Sequence, residues 1–165
     1  METPRPPKNA PSFEVNAQAS ERPALSVLVD SLMHRPVVTV EADATVRAAA
    51  LHMQQQRVGC LVVMRGGHAV GVVTERDVVF RVVAAGRSPD ETRIGEVASA
   101  PIVSVTPETS VDEAAETMKK LRIKRLVVMR DGAPRGVISV TDIAYASPEA
   151  SRAMMDAWVK QRWED

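Results

Sequence analysis

The feature that most constrains the fold of this chain is an internal repeat. Residues 57–78 read RVGCLVVMRGGHAVGVVTERDV, and residues 122–143 read RIKRLVVMRDGAPRGVISVTDI. The two stretches align without a gap at an offset of 65 residues. A unit of this size buries only a thin core by itself. The repeat therefore predicts two copies of one structural unit that are joined in tandem.

Each copy is predicted to contain a β-hairpin that leads into a helix. Residues 61–64 and 126–129 are short apolar runs that are rich in β-branched side chains. They are followed by Gly66-Gly67 and by Asp131-Gly132, which are typical of a tight hairpin turn. A second apolar strand then follows in each copy.

The second strand of each copy ends in a related motif, GVVTERD in the first and GVISVTD in the second. Thr74 and Ser139 stand where a helix N-cap is expected, and Asp77 and Asp142 follow three residues later. Backbone N–H groups and the helix dipole favour an anion at such a place. A phosphate site in each copy is one interpretation, and simple capping of the helices by the two carboxylates is the other.

These motifs resemble the ligand motif of cystathionine β-synthase (CBS) domains, and the resemblance covers roughly residues 25–146. It implies an α+β fold of the α/β type. Two tandem ββα-type repeats, at residues 25–90 and 91–146, would pack as a pseudo-twofold pair known as a Bateman module. Two motifs at one offset, each after the same LVVMR strand, make the resemblance specific.

The resemblance also implies a ligand, namely an adenine nucleotide such as AMP, ADP or ATP, or a related adenosyl compound such as NAD(H) or S-adenosylmethionine. Asp77 and Asp142 would accept hydrogen bonds from the ribose hydroxyls, while Thr74 and Ser139 would contact phosphate. A carboxylate suits ribose because it accepts from two neighbouring hydroxyls at once. The adenine pocket would involve Val37, Val38, Thr39 and Val58 in one copy, and Ile102, Val103, Ser104 and Ile123 in the other.

The two copies differ where the first hairpin strand begins. The second copy has Lys124-Arg125 there, and the first has Gly59-Cys60. The hairpin resembles that of the γ subunit of AMP-activated protein kinase, in which basic residues at the matching place contact phosphate. This implies a phosphate anchor for the site built on Asp142, although a solvated basic helix end is the alternative. The remaining phosphate candidates are Arg76 and Thr141.

Composition and motifs argue against several other functions. Lysine plus arginine and aspartate plus glutamate both number 21, so no bulk charge favours nucleic acid or an anionic membrane. The sequence has no P-loop, H-E-x-x-H, C-x-x-C or G-x-S-x-G motif. None of the three histidines has a carboxylate or thiol partner at an informative spacing. We therefore expect no catalytic residues, no metal site and no cofactor beyond a regulatory nucleotide.

The ends of the chain carry separate predictions. Residues 1–24 are rich in proline and are predicted to be a disordered tail. Residues 147–165 are predicted to form an amphipathic helix, in which Met154 and Trp158 favour a homodimer contact over docking on the same chain. No signal peptide and no apolar run of membrane-spanning length is present, so the predicted location is cytoplasmic.

The sequence thus favours a regulatory sensor that acts through an unknown effector protein on another chain. Two alternatives remain open. One is a structural or interaction module without a physiological nucleotide, and the other is an enzyme or a nucleic-acid-binding protein, against which the charge balance and the missing motifs argue.

Overall fold

The computed structural model of the protein describes residues 27–146. The predicted N-terminal tail and C-terminal helix lie outside this range. The elements of the first repeat are α1 (Val29–Leu32), β1 (Thr39–Glu41), α2 (Val46–Gln56), β2 (Cys60–Arg65), β3 (His68–Thr74), α3 (Glu75–Val78) and a π-helical turn (Val79–Val83). Those of the second are α4 (Ile94–Val97), β4 (Ser104–Val105), α5 (Val111–Leu121), β5 (Arg125–Arg130), β6 (Ala133–Ser139) and α6 (Val140–Ala146).

Each repeat forms a three-stranded sheet with the same topology. In the order β1-β2-β3, the central strand pairs parallel with β1 and antiparallel with β3. The sheet β4-β5-β6 repeats this arrangement, including a register irregularity at Val128/Met129 that matches the one at Val63/Met64. The α+β fold of two repeats is therefore confirmed.

The local signals in the sequence are confirmed at the turns and helix caps. Gly66, Gly67, Asp131 and Gly132 all have positive φ angles between 53° and 80°, as a two-residue hairpin turn requires. Thr45 caps α2 by accepting a hydrogen bond from the Ala48 N–H at 3.2 Å. Ser110 and Glu113, whose three-residue spacing in the sequence predicts a capping box, form one at the start of α5.

The π-helical turn after α3 was not predicted from the sequence. The Ala84 N–H bonds to the carbonyl of Val79, five residues earlier, in place of the α-helical partner four residues earlier. In this wider turn Val82 is buried, while Val79 and Val83 are exposed. Four valines in this segment, Val78, Val79, Val82 and Val83, have the spacing of one apolar helix face. The wider turn divides them between the core and the surface.

Each repeat completes the hydrophobic core of the other. Val29 and Met33, from α1 and the residue after it, pack in a cluster whose other buried members come from the second repeat. Ile94 and Val97 of α4 pack in the corresponding cluster of the first repeat. The two docking contacts are equivalent, since the Val29 N–H donates to the Thr109 carbonyl and the Ile94 N–H to the Ala44 carbonyl, both at 2.9 Å.

The residues after α1 pair with β6, and the residues after α4 pair with β3, so each segment pairs with the second hairpin strand of the other repeat. We call residues 33–36 and 98–101 the crossing segments. His34 and Val137 exchange two backbone hydrogen bonds of 2.9 and 3.2 Å, and Ser99 and Val72 exchange two of 2.8 and 3.0 Å. On the face of each sheet away from its cluster, β3 also contacts β6. The repeats are therefore joined both by sheet contact and by a pair of matching strand additions.

The glycine at the start of each motif is explained by this crossing. A Cβ atom on Gly71 would lie 2.6 Å from the Ser99 carbonyl oxygen, and one on Gly136 would lie 3.1 Å from the His34 carbonyl oxygen. The Gly136 position also faces the side chain of Met33, whose sulfur lies against it. Close approach of the backbone, not a turn, is what these positions require.

Gly71→Ala is expected to destabilise the protein by about 2 kcal/mol, because the new methyl group would push against a backbone carbonyl that is held in a strand pair. Gly136→Ala is the matched variant. It should cost about half as much, because its nearest neighbour is the flexible end of a methionine side chain. Urea unfolding of both variants and the wild type measures the difference, and equal costs would contradict this explanation.

Candidate functional site

The motif of the first repeat forms a polar site that we call the Asp77 site, made of Thr74, Asp77, Arg81 and Ser99. Oδ2 of Asp77 accepts hydrogen bonds from the Thr74 N–H at 2.9 Å and from the Thr74 hydroxyl at 2.6 Å. Oδ1 faces the crossing segment, with Ser99 Oγ at 3.4 Å and Arg81 Nη2 at 3.3 Å. The carboxylate thus links its own helix to the other repeat.

The second repeat forms the corresponding Asp142 site, made of Ser139, Asp142 and His34. Oδ2 of Asp142 accepts from the Ser139 N–H at 2.7 Å and from the Ser139 hydroxyl at 2.6 Å. Oδ1 lies 2.9 Å from Nε2 of His34, on the crossing segment. The Asp142 side chain is 13% exposed, whereas that of His34 is 79% exposed. A nearly buried carboxylate is therefore covered by a side chain that stands mostly in water.

No histidine has a carboxylate partner at an informative spacing in the sequence, but the fold brings His34 to Asp142. The sequence gives no local signal for this pair, because more than a hundred residues separate His34 from Asp142. Only the pairing of the crossing segment with Val137 brings the imidazole to the motif. His52 and His68 have no such neighbour among the interactions of the described residues.

Both motif aspartates do cap their helices, so one of the two interpretations left open by the sequence is realised. Thr74 and Asp77 form a capping box, and the Asp142 N–H donates to the Ser139 hydroxyl at 3.4 Å. Each hydroxyl donates its proton to the carboxylate of its own motif. To donate to a phosphate, the hydroxyl would have to give up that bond. Of each carboxylate, Oδ1 is the oxygen that faces away from the cap.

Arg125 lies beside the first repeat. Its guanidinium is next to Gly59, where an added Cβ would meet Nη2 at 3.2 Å, and it shares this place with the Glu75 carboxylate. Because Gly59 has no side chain, there is space for the Arg125 guanidinium, and the Glu75 carboxylate supplies a negative charge beside it. Arg125 is the counterpart of Cys60 in the repeat alignment, so these equivalent positions meet near the pseudo-twofold axis.

Arg125 also lines an open surface groove of about 660 Å³. The apolar part of its lining comes from α2, α3, the π-helical turn and Val58. The other lining residues are Ala50, Met53, Gln54, Arg57, Val58, Gly59, Glu75, Val78 and Val79.

The remaining phosphate candidates are on the surface. The Arg76 guanidinium lies over the Phe80 ring, 5.1 Å from its centroid, which is a cation–π contact. Lys124 and Thr141 are exposed. The structure does not gather these three side chains around one motif carboxylate.

The predicted adenine positions are partly used by the two cores. Val38 and Val58 pack against the cluster of the first repeat, while Val103 and Ile123 pack against that of the second. Thr39 and Ser104 are exposed, and Val37 and Ile102 are half-buried. Each set is therefore divided between the core of its repeat and the surface.

Residues 27–146 contain no group of three histidine, cysteine, aspartate or glutamate side chains that could hold a metal ion. Within the same residues, none of the helices has the length and apolar character needed to cross a bilayer.

The repeat corresponds to a known family. The CBS domain family matches residues 29–84 and again residues 94–149, which together are more than half of the chain. The chain belongs to the CBS domain family. Modules that contain such a CBS pair are generally regulatory.

Individual relatives and solved structures agree with this assignment. The CBS domain-containing protein YhcV of Bacillus subtilis is 33% identical over 116 residues, which are 70% of this chain and 82% of YhcV. A conserved CBS domain protein of unknown function from Thermoplasma acidophilum matches with a TM-score of 0.75 at 27% identity, covering 84% of this chain and 78% of that one. The hexameric CBS-CP12 protein of bloom-forming cyanobacteria matches with a TM-score of 0.71 at 33% identity, covering 74% and 69%.

Other relatives are longer than the CBS pair. The chain spans 64% of the length of two uncharacterized archaeal relatives and 53% of a mitochondrial CBS domain-containing protein of Arabidopsis thaliana. The similarity therefore defines the module and not a whole-protein activity.

The chemistry of Cys60 gives a direct check on the position of Arg125. Burial raises the pKa of the Cys60 thiol, the Arg125 charge lowers it and the Glu75 carboxylate raises it. Arg125→Met should therefore raise this pKa further and slow alkylation by iodoacetamide, while Glu75→Gln should lower the pKa and speed the reaction, each by at least about twofold near neutral pH.

Cys60 is the single cysteine of the chain, so the pH–rate profile of alkylation reports on it alone. Variants should first be shown to unfold at the same temperature as the wild type. Identical profiles for all three proteins would place Arg125 and Glu75 away from Cys60.

Proposed function

We propose that this CBS pair is a regulatory module that binds an adenine nucleotide, or a related adenosyl ligand, and acts on a separate effector protein. The observation that supports it best is the arrangement of the two motif carboxylates. In each repeat one carboxylate oxygen caps the helix, and the other contacts the crossing segment of the other repeat.

The chemistry of Oδ1 suits the ribose part of such a ligand. A carboxylate oxygen accepts strong hydrogen bonds, and two neighbouring hydroxyls on one sugar ring present two donors at a fixed spacing. Val37 and Ile102, which are half-buried and outside the two core clusters, supply apolar surface for a flat base. These features favour a nucleoside over a bare phosphate, for which the motif hydroxyls have no free proton.

Binding at Oδ1 would also provide the signal. His34 and Ser99 each contact a motif carboxylate through the side chain and pair with a strand of the other repeat through the backbone. A ribose that takes Oδ1 competes with a contact that joins the repeats. The change in packing can be no larger than the difference in ligand affinity between the two arrangements. A partner protein would then distinguish them, in keeping with a cytoplasmic signalling role.

A thermal-shift panel of AMP, ADP, ATP, NAD(H) and S-adenosylmethionine tests the proposal. A ligand at about 100 times its dissociation constant stabilises the folded protein by roughly 2.7 kcal/mol. For a domain of this size the transition should rise by roughly 5–10 °C. Asp142→Asn, which keeps the shape of the side chain but removes its charge, should strongly reduce the rise.

Two controls make the result specific. A 2′,3′-dideoxy analogue of the best ligand should give a much smaller shift, because it lacks the hydroxyls that a carboxylate would bind. Asp131→Asn changes a carboxylate in a hairpin turn and should leave the ligand shift intact. If no compound of the panel moves the transition, the proposal fails.

A second candidate function, self-association, is supported by an exposed apolar surface. Leu51 on α2 and Val79, Phe80 and Val83 on the π-helical turn are all exposed, with Val83 at 70%. Large apolar side chains that are exposed together mark interaction surfaces. We propose that this surface forms the homodimer contact, whereas the predicted contact through Trp158 lies outside the described residues.

Val83→Asp should weaken the homodimer by at least about tenfold, because a charge would have to be buried without a partner. Thr141→Asp, on the exposed surface of the other repeat, is the control and should leave the association unchanged. Sedimentation equilibrium measures both. Equal dimer stability for Val83→Asp and the wild type would assign the contact to another surface.

A further inference from the structure

The two motif sites differ at the positions that complete them. In the repeat alignment Ser99 corresponds to His34, and Arg81 corresponds to Ala146. Ser99 and His34 both reach Oδ1 of the motif carboxylate. Arg81 adds a permanent positive charge to the first site, and an alanine at the same place adds none to the second. The two sites therefore have different electrostatics.

The acceptor capacity of Asp77 is used within the protein. A carboxylate has about four lone-pair positions. On Asp77, Oδ2 accepts from the N–H and the hydroxyl of Thr74, while Oδ1 accepts from the Ser99 hydroxyl and forms an ion pair with Arg81 at 3.3 Å. A ribose can bind there only after one of these donors has left.

Arg81 is itself held in place. Its Nη1 donates to the Val97 carbonyl at 2.6 Å, and its Nη2 donates to Ser99 Oγ at 3.1 Å. Arginine stays charged at any physiological pH. Removing it from Asp77 would break these bonds and leave a carboxylate that is 13% exposed without its cation. The Asp77 site is thus closed by an anchored group.

Asp142 is covered by a group that can leave. Among residues 27–146, the side chain at its Oδ1 is the His34 imidazole. That imidazole is 79% exposed, so it can turn into water and stay solvated, although the Asp142 carboxylate is itself only 13% exposed. Once it turns away, Oδ1 offers both of its lone pairs to a ligand.

We propose that the CBS pair binds one nucleotide per chain, at the Asp142 site, and that the ligand displaces His34 when it binds. The Asp77 site, closed by Arg81, joins the repeats and takes no ligand. This inference rests on the proposed function and adds to it which of the two sites binds and which side chain moves.

Isothermal titration of the full chain with AMP and with ATP tests the stoichiometry. The wild type should bind about one ligand per chain. Arg81→Gln should bind about two, because glutamine removes the cation that closes the Asp77 site. Its unfolding transition without ligand shows whether the variant is folded.

The reverse experiment does not depend on that variant. Ala146→Arg places a guanidinium four residues after Asp142, the same spacing as that of Arg81 from Asp77, and should weaken nucleotide binding at least about tenfold. Ala146→Gln, of similar length but uncharged, should bind as the wild type does. His34→Ser, which copies the first site, should tighten binding about two- to fivefold, because a weaker competitor then covers Oδ1.

The outcomes separate this inference from the proposed function. Two ligands per wild-type chain, or full binding by Ala146→Arg, would overturn the inference while leaving nucleotide binding in place. Absence of AMP and ATP binding by the wild type and by every variant would overturn both.

Discussion

The pairing of each crossing segment with the second hairpin strand of the other repeat is the interaction on which the rest of the structure depends. It places the short helices α1 and α4 in each other's repeats, where they complete the cores. It requires glycine at positions 71 and 136, because the backbones approach too closely for a side chain. It also brings His34 and Ser99 to the motif carboxylates. Fold, motif and site are consequences of one contact that occurs twice.

The motif therefore has a structural meaning that is independent of any ligand. Its glycine allows the crossing, its hydroxyl and one carboxylate oxygen cap a helix, and its second oxygen contacts the crossing residue. A ligand that binds such a place does not fill an unused pocket. It replaces a contact within the protein. The affinity for the ligand therefore depends on the strength of that contact, which Arg81 provides in one repeat and His34 in the other.

The features that were predicted from the sequence are those that depend on residues close together in the chain. The hairpin turns at Gly66-Gly67 and Asp131-Gly132, the cap at Thr45 and the capping box at Ser110 are confirmed because a few adjacent residues determine them. The contact of His34 with Asp142 and the exchange of short helices depend on segments far apart in sequence. No periodicity or motif encodes these two features. The contact of Arg125 with Glu75 also joins segments that are far apart in sequence, so it was not predicted either. The nucleotide site itself stays a prediction.

The exchange of α1 and α4 has a consequence for how the protein is made. Val29 packs in a cluster that includes Ile138 and Ile143, residues that the ribosome adds more than a hundred positions later. The first short helix has no place to dock until nearly all of the described chain has been synthesised. The first repeat, in contrast, receives its last buried residues once Val97 has emerged. The core of the first repeat can therefore close before the second repeat has been made, whereas α1 docks only after Ile143 has been made.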